Sequence, residues 1–146
     1  MRRTSRIRLC LVLIALNLAF IWGNSLLPGE ISKALSTWLG GLLEVGGEGS
    51  HQGTGMLRKA AHFSEFACLG FLIARLASLK GERGFHLFAP AMLGGLLTAC
   101  IDESIQLITP DRGPSLVDVW IDTSGVAVGI AMLFVYILFD SWRNQQ

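Results

Sequence analysis

The sequence has few charged residues for its length. Only 16% of its 146 residues are Asp, Glu, Lys or Arg, whereas soluble domains carry about 25%. Hydrophobic residues make up 51% of the chain, and the mean hydropathy is +0.51. This combination argues against an ordinary soluble domain and predicts a membrane protein. The formal net charge is only +1, so we expect no nucleic-acid partner.

Several chemical motifs are also missing. The three cysteines, Cys10, Cys68 and Cys100, lie in apolar segments, and their spacing fits neither a disulfide framework nor a zinc site. The sequence has no H-E-x-x-H, no G-x-S-x-G and no phosphate-binding glycine loop. Any functional site must therefore be assembled from separate parts of the chain.

Long apolar segments are the clearest feature that is present. Four are long enough to cross a membrane, at about residues 7–27, 57–79, 85–108 and 116–139. Arg2, Arg3, Arg6 and Arg8 precede the apolar stretch of the first segment, which begins at Leu9, as they would in a signal peptide. The segment is longer than a usual signal core, and no small-x-small cleavage site follows it. We therefore interpret it as a retained first helix.

A shorter amphipathic segment lies between the first two spans, at residues 31–44. Five of its apolar residues share one helical face: Ile31, Leu35, Trp38, Leu39 and Leu42. The segment is too short to span a bilayer, which favours an interfacial helix. The glycine-rich residues 46–55 are predicted to be a flexible linker. The expected fold is all-α: an integral membrane four-helix bundle with a short interfacial helix, in a single domain over residues 1–146.

The basic residues predict the orientation. With four spans, both termini and the turn at residues 80–84 share one side of the membrane. That side carries Arg2, Arg3, Arg6, Arg8, Arg75, Lys80, Arg83 and Arg143. The other side carries only Lys33, Arg58, Lys59 and Arg112. The positive-inside rule therefore predicts that both termini are cytoplasmic.

Polar side chains gather where the spans meet the opposite, outer face. The residues are Ser25, Lys59, His62, Glu65, Asp102, Glu103, Gln106, Arg112, Ser115, Asp118 and Asp122. Asp118 and Asp122 continue along the helical face of Gly125 and Gly129, a GxxxG spacing that permits close helix packing. Packing through these glycines would turn both acids inward. Because ionisable groups inside membrane helices are costly and usually functional, the sequence predicts an outward-facing polar cavity.

These residue types suit several chemistries. His62, Asp102 and Asp118 are the candidate catalytic groups for acid–base chemistry. The candidate ligand-binding residues are Ser25, Lys59, Glu65, Glu103, Gln106, Arg112, Ser115 and Asp122. The carboxylates with His62 are also a candidate donor set for a divalent metal, and the basic groups are candidates to bind a lipid phosphate.

A purely structural interpretation is the alternative for this cluster. Lys59, Arg112 and His62 would then neutralise nearby carboxylates and dock the helices, with little net stabilisation once desolvation is counted. Five acids outnumber the bases Lys59 and Arg112 even with His62 charged: Glu65, Asp102, Glu103, Asp118 and Asp122. An excess of like charge favours a site that recruits a cation or a cationic partner, or that holds carboxylates with raised pKa values.

Ordered sequence blocks run through about residues 20–129. They are Asn24-Ser25-Leu26, Pro28-Gly29-Glu30 with Ser32, Arg58 to Phe63 with Glu65, Leu69-Gly70, Asp102-Glu103 with Gln106, Arg112, Ser115, Asp118-Val119, Asp122 and Gly125. In this order they resemble the VanZ-like family of membrane proteins. One departure is Phe66, where the family pattern has a tyrosine, so no phenolic hydroxyl is expected at that position.

The resemblance implies a small multi-pass protein of the bacterial inner membrane. The founding member of the family is associated with resistance to teicoplanin, a lipoglycopeptide that acts at the outer membrane face. The leading hypothesis is a cell-envelope protein whose outer cavity binds a membrane lipid, a lipid-linked envelope precursor or the glycopeptide antibiotic. Two alternatives stay open: an acid–base or metal-assisted hydrolase acting on an envelope lipid or its phosphate, and a structural accessory subunit.

Overall fold

A computed structural model describes residues 2–42 and 51–144 of the chain. The described residues form five helices and no strand: α1 (Arg3–Ser25), α2 (Gly29–Leu42), α3 (His51–Lys80), α4 (Phe85–Ile108) and α5 (Leu116–Arg143). By length and composition, α1, α4, α5 and the part of α3 from Gly55 can each cross a membrane. The predicted all-α fold, with four apolar spans and a short helix between the first two, is confirmed.

The helix bounds differ from the predicted ones mainly around the glycine-rich segment. Helix α3 begins at His51, so the prediction of a linker is wrong for residues 51–55. Each glycine costs a helix only about 1 kcal/mol relative to alanine, which a long helix can accommodate. Residues 46–50 of the predicted linker, and residues 43–44 of the predicted interfacial helix, lie outside the described residues.

Helix α3 packs most extensively against α5, and two glycines of α5 make the close approach. A Cβ atom at Gly125 would overlap the carbonyl oxygen of Phe63, and one at Gly129 would overlap that of Ala67. Small residues let the backbones of neighbouring membrane helices approach in this way. The close packing predicted from the GxxxG spacing is confirmed.

The buried core lies mainly along this α3–α5 contact and includes Phe66, Leu69, Val126 and Leu133. Phe66 is completely buried there. Many other large apolar side chains face outward from the bundle, as do Leu11, Leu16 and Phe20 of α1. An apolar outer surface on four long helices indicates a multi-pass membrane protein.

The corner between α1 and α2 docks on the loop between α4 and α5. The Gly29 N–H donates to the Pro110 carbonyl oxygen at 3.0 Å. Arg112 of the same loop donates from Nη2 to the Asn24 carbonyl oxygen at 2.7 Å and from Nε to that of Leu27 at 3.1 Å. The guanidinium thus adds donors to carbonyl groups at and just beyond the C-terminal end of α1, where intrahelical donors run out; the Asn24 carbonyl oxygen also accepts from the Leu27 N–H at 3.3 Å. These contacts fix the polar end of the bundle.

Candidate polar pocket

A polar pocket of about 200 Å³ lies at the end of the bundle where α3 begins, α4 ends and α5 begins. It is lined by Gly55, Arg58, Lys59, His62, Glu103, Gln106, Asp111, Arg112, Gly113, Asp118, Ile121 and Asp122. Seven of these are site residues predicted from the sequence. A larger depression of about 400 Å³ lies beside the α3–α4 turn, but its lining is mostly apolar. The ionisable groups are concentrated in the polar pocket.

Asp102 lies beside this pocket and is completely buried. Ser25 Oγ donates to Asp102 Oδ1 at 2.6 Å, and Gln106 Nε2 donates to Asp102 Oδ2 at 3.0 Å. His62 Nδ1 lies 4.0 Å from Asp102 Oδ2. In a Ser–His–Asp triad the serine donates to the histidine, whereas here Ser25 donates to the acid. The arrangement therefore does not prepare Ser25 as a nucleophile.

Three cationic side chains line the pocket, and we call them its rim: Arg58, Lys59 and Arg112. Lys59 Nζ lies 3.9 Å from Asp118 Oδ1, and both side chains are partly exposed, so the pair contributes little to stability. Arg58 Nε and Arg112 Nη1 are buried and have no hydrogen-bond partner among the described residues. Burial, followed by the nearby charge of Arg58, lowers the pKa of Arg112, but an arginine stays protonated at neutral pH. The rim therefore carries cationic groups, and two of their buried N–H donors have no partner among the described residues.

Other predicted site residues hold helix ends together. Ser115 caps α5, because its Oγ accepts from the Val117 N–H at 3.2 Å. The Ser115 N–H donates to Glu103 Oε2 at 2.6 Å, which ties the start of α5 to the end of α4. A carboxylate at a helix N-terminus is favoured by the helix dipole. Glu65 lies on the α1 side of α3, where Oε1 accepts from Asn24 Nδ2 at 3.4 Å.

Four predicted site residues thus lie outside the lining of the pocket: Ser25, Glu65, Asp102 and Ser115. The catalytic or ligand-binding role assigned to each of the predicted residues stays a prediction. Sequence reasoning did not select Arg58, which lines the pocket. Its spacing of four residues from His62 places both on one face of α3 and would have identified it.

Three of the acidic and imidazole groups come close enough to share a metal ion. His62, Asp102 and Asp122 each offer one ligand atom, and these atoms lie within 4.8 Å of one another. Asp122 is only 1% exposed. Neither of its carboxylate oxygens has a hydrogen-bond partner in the part of the chain that the structure describes. Imidazole and carboxylate groups together are donors of the kind that divalent metals use.

The part of the chain that forms these helices and the polar pocket matches a known protein family. Residues 7–139 match the VanZ/LLP1 family, a range that includes every residue lining the polar pocket. Comparisons with curated proteins and with solved structures gave no match. Because the family match covers most of the sequence, including the four apolar helices that surround the core, this chain belongs to the VanZ/LLP1 family.

Proposed function

We propose that the protein acts at the cell envelope, in the bacterial inner membrane, and that its polar pocket binds the phosphate-bearing head group of a lipid-linked envelope component. The observation that carries this proposal is the lining of the pocket. Arg58, Lys59, His62 and Arg112 converge on one polar space between apolar helices. A lipid whose chain lies alongside the apolar helices would place its head group at the end of the bundle, where the pocket lies.

The distribution of basic residues supports an outward-facing pocket. Eight of the twelve Lys and Arg residues belong to the end of the bundle that carries both termini and the α3–α4 turn. The pocket lies at the other end, where α4 gives way to α5. Under the positive-inside rule both termini are cytoplasmic and the pocket opens on the outer side.

The cationic side chains of the rim support a phosphate ligand. Arginine binds phosphate oxygens with two parallel N–H groups, and lysine binds them as a point charge. Arg58 Nε and Arg112 Nη1 lack partners among the described residues, and Lys59 is about half exposed. The acids Glu103 and Asp118 in the same pocket would accept hydrogen bonds from hydroxyl or amine groups of the same head group.

Teicoplanin resistance is the cellular outcome that the family resemblance suggests. Binding the lipid-linked component would change how the antibiotic reaches its target at the outer face. The antibiotic itself carries an acyl chain and is the alternative occupant of the pocket. Both occupants require the cations of the rim, so they share a first test.

A sensitive host that produces the wild-type protein should become less susceptible to teicoplanin, and Lys59→Gln should lose most of this protection. One charge-assisted hydrogen bond contributes about 1.5 kcal/mol, or about tenfold in affinity. Lys33→Gln is the matched control, because the Lys33 side chain is exposed on α2 and does not line the pocket. Equal protection by both variants at equal membrane abundance would contradict a role for the pocket, and no protection by the wild type would contradict the resistance role.

A hydrolase is the second candidate, because His62 lies 4.0 Å from the buried Asp102 and also lines the pocket. An imidazole close to a carboxylate is a candidate general base, and at 4.0 Å this pair would have to draw closer to form a hydrogen bond. In the same assay, a hydrolase that uses Asp118 would lose all protection in Asp118→Asn, whereas a head-group binder keeps its cations and retains part of it. Asp140→Asn on the opposite end of α5 is the control. Loss of every pocket variant from the membrane would favour a structural subunit instead.

A further inference from the structure

We propose that His62, Asp102 and Asp122 bind a divalent transition-metal ion beside the polar pocket. The site joins three helices, since His62 belongs to α3, Asp102 to α4 and Asp122 to α5. This inference does not rest on the proposed head-group function, because it is carried by the two buried acids, and only His62 is shared with the basic residues that line the pocket.

The distances suit coordination. The three ligand atoms lie within 4.8 Å of one another, and His62 Nδ1 is 4.0 Å from Asp102 Oδ2. Ligand atoms bound to one zinc ion at about 2.1 Å lie roughly 3 to 4 Å apart. The separations exceed those of a zinc site by only about 1 Å, so the three groups are within reach of one ion.

The burial of Asp122 provides an independent argument. Its side chain is 1% exposed, and both oxygens lack hydrogen-bond partners among the described residues. The Lys and Arg residues of the described segments make no ion pair with Asp122 or with Asp102. A buried carboxylate without a partner is costly, and the hydrogen-bonded Asp102 adds a second buried acid close to it. One divalent cation would neutralise both acids.

The surrounding contacts hold the ligands as a metal site requires. Ser25 Oγ and Gln106 Nε2 each donate to one oxygen of Asp102, and such partners orient metal-binding carboxylates. The close α3–α5 packing at Gly125 fixes the helices that carry His62 and Asp122. Both of these residues also line the pocket, which gives an ion a path of entry and leaves its remaining positions open to water or an anionic ligand.

The donor set favours particular metals. Two carboxylates and one imidazole suit Zn²⁺, Mn²⁺ or Fe²⁺, whereas Ca²⁺ takes six to eight oxygen ligands and Mg²⁺ prefers oxygen in octahedral geometry. Co²⁺ is a useful probe because its visible absorption reports bound nitrogen and oxygen ligands. The proposed ion is therefore tested with a metal that resembles zinc in its coordination.

The test is a Co²⁺ titration of the full-length protein in detergent, purified without a polyhistidine tag and stripped with a chelator. We expect about one Co²⁺ per chain, as in a site with three protein ligands. Asp122→Asn and His62→Gln should each weaken binding by about 100-fold or more, since even the partners of ligands contribute 10- to 100-fold. Asp140→Asn, the same change at the exposed end of the same helix, should bind as the wild type does.

Thermal unfolding separates loss of the site from loss of the fold. Asp122→Asn removes a buried unpaired charge, so the metal-free variant should unfold at the same temperature as the metal-free wild type or higher. Co²⁺ should raise the unfolding temperature of the wild type but not that of the variant. Absence of stoichiometric binding by a folded wild type, or equal binding by all variants, would overturn the proposal. Neither result bears on the proposed head-group binding, which is tested by the susceptibility and lipid-binding measurements.

Discussion

Gly129→Ala is expected to remove most of the folded protein from the membrane. The added Cβ would overlap the backbone carbonyl oxygen of Ala67, and a backbone atom cannot move aside as a flexible side chain can. The added atom would therefore force helices α3 and α5 apart. These two helices form the most extensive contact of the bundle, and most of the buried core lies along it. Overpacking of this kind costs about 1 to 3 kcal/mol or more. Membrane abundance and thermal unfolding in detergent measure the loss.

Gly23→Ala is the matched control for this prediction. Gly23 also lies within a membrane helix, but a Cβ at that position would meet nothing within 4 Å. Alanine is the better helix former by about 1 kcal/mol, so the control should be neutral or slightly stabilising. If both variants were equally abundant and equally stable, the close α3–α5 packing would be incorrect.

Arg112→Ala should produce the second large loss of stability. The guanidinium joins the α4–α5 loop to the end of α1 through hydrogen bonds to Asn24 and Leu27 carbonyl groups. A hydrogen bond from a charged group contributes about 1.5 to 3 kcal/mol, so we expect a loss of about 3 kcal/mol. The α1–α2 corner should then detach from the loop, and limited proteolysis near Pro110 would detect it.

Two further variants define the cause of that loss. Arg143→Ala removes an exposed arginine whose ion pair with Asp140 spans three residues of one helix, and it should cost no more than about 0.5 kcal/mol. Arg112→Lys keeps the charge, but lysine lacks the planar group that reaches both carbonyls, so it should restore only part of the stability. Full rescue by lysine would show that charge alone matters and would contradict the bridging role of Arg112.

The apolar spans could be predicted from the sequence because length and hydropathy determine them directly. Helix α4 occupies Phe85–Ile108, the same residues as the third predicted span. The grouping of acids and bases at one end followed from the order of the spans. The glycine-rich residues 51–55 were predicted incorrectly because composition alone does not show whether an adjoining helix continues through them.

The division of the polar residues between pocket and helix contacts could not be predicted. It depends on the rotation of each helix, which the packing of glycines and core side chains sets. The Ser115 N–H therefore donates to the Glu103 carboxylate at the junction of α4 and α5. The Asp122 carboxylate, in contrast, has no hydrogen-bond partner among the described residues. Spacing identified the residues that share a face, but only the packed structure shows which faces meet.

Head-group binding is tested most directly by comparing a polyprenyl phosphate with the corresponding uncharged polyprenol. Both lipids are presented to the purified full-length protein in detergent micelles, and the dissociation constants are measured. Binding of the phosphate by the rim predicts at least about tenfold tighter binding of the phosphate. Arg58→Gln and Lys59→Gln should each reduce this preference, and Lys33→Gln should retain it. Equal affinity of the wild type for the two lipids would contradict recognition of a phosphate head group by the polar pocket.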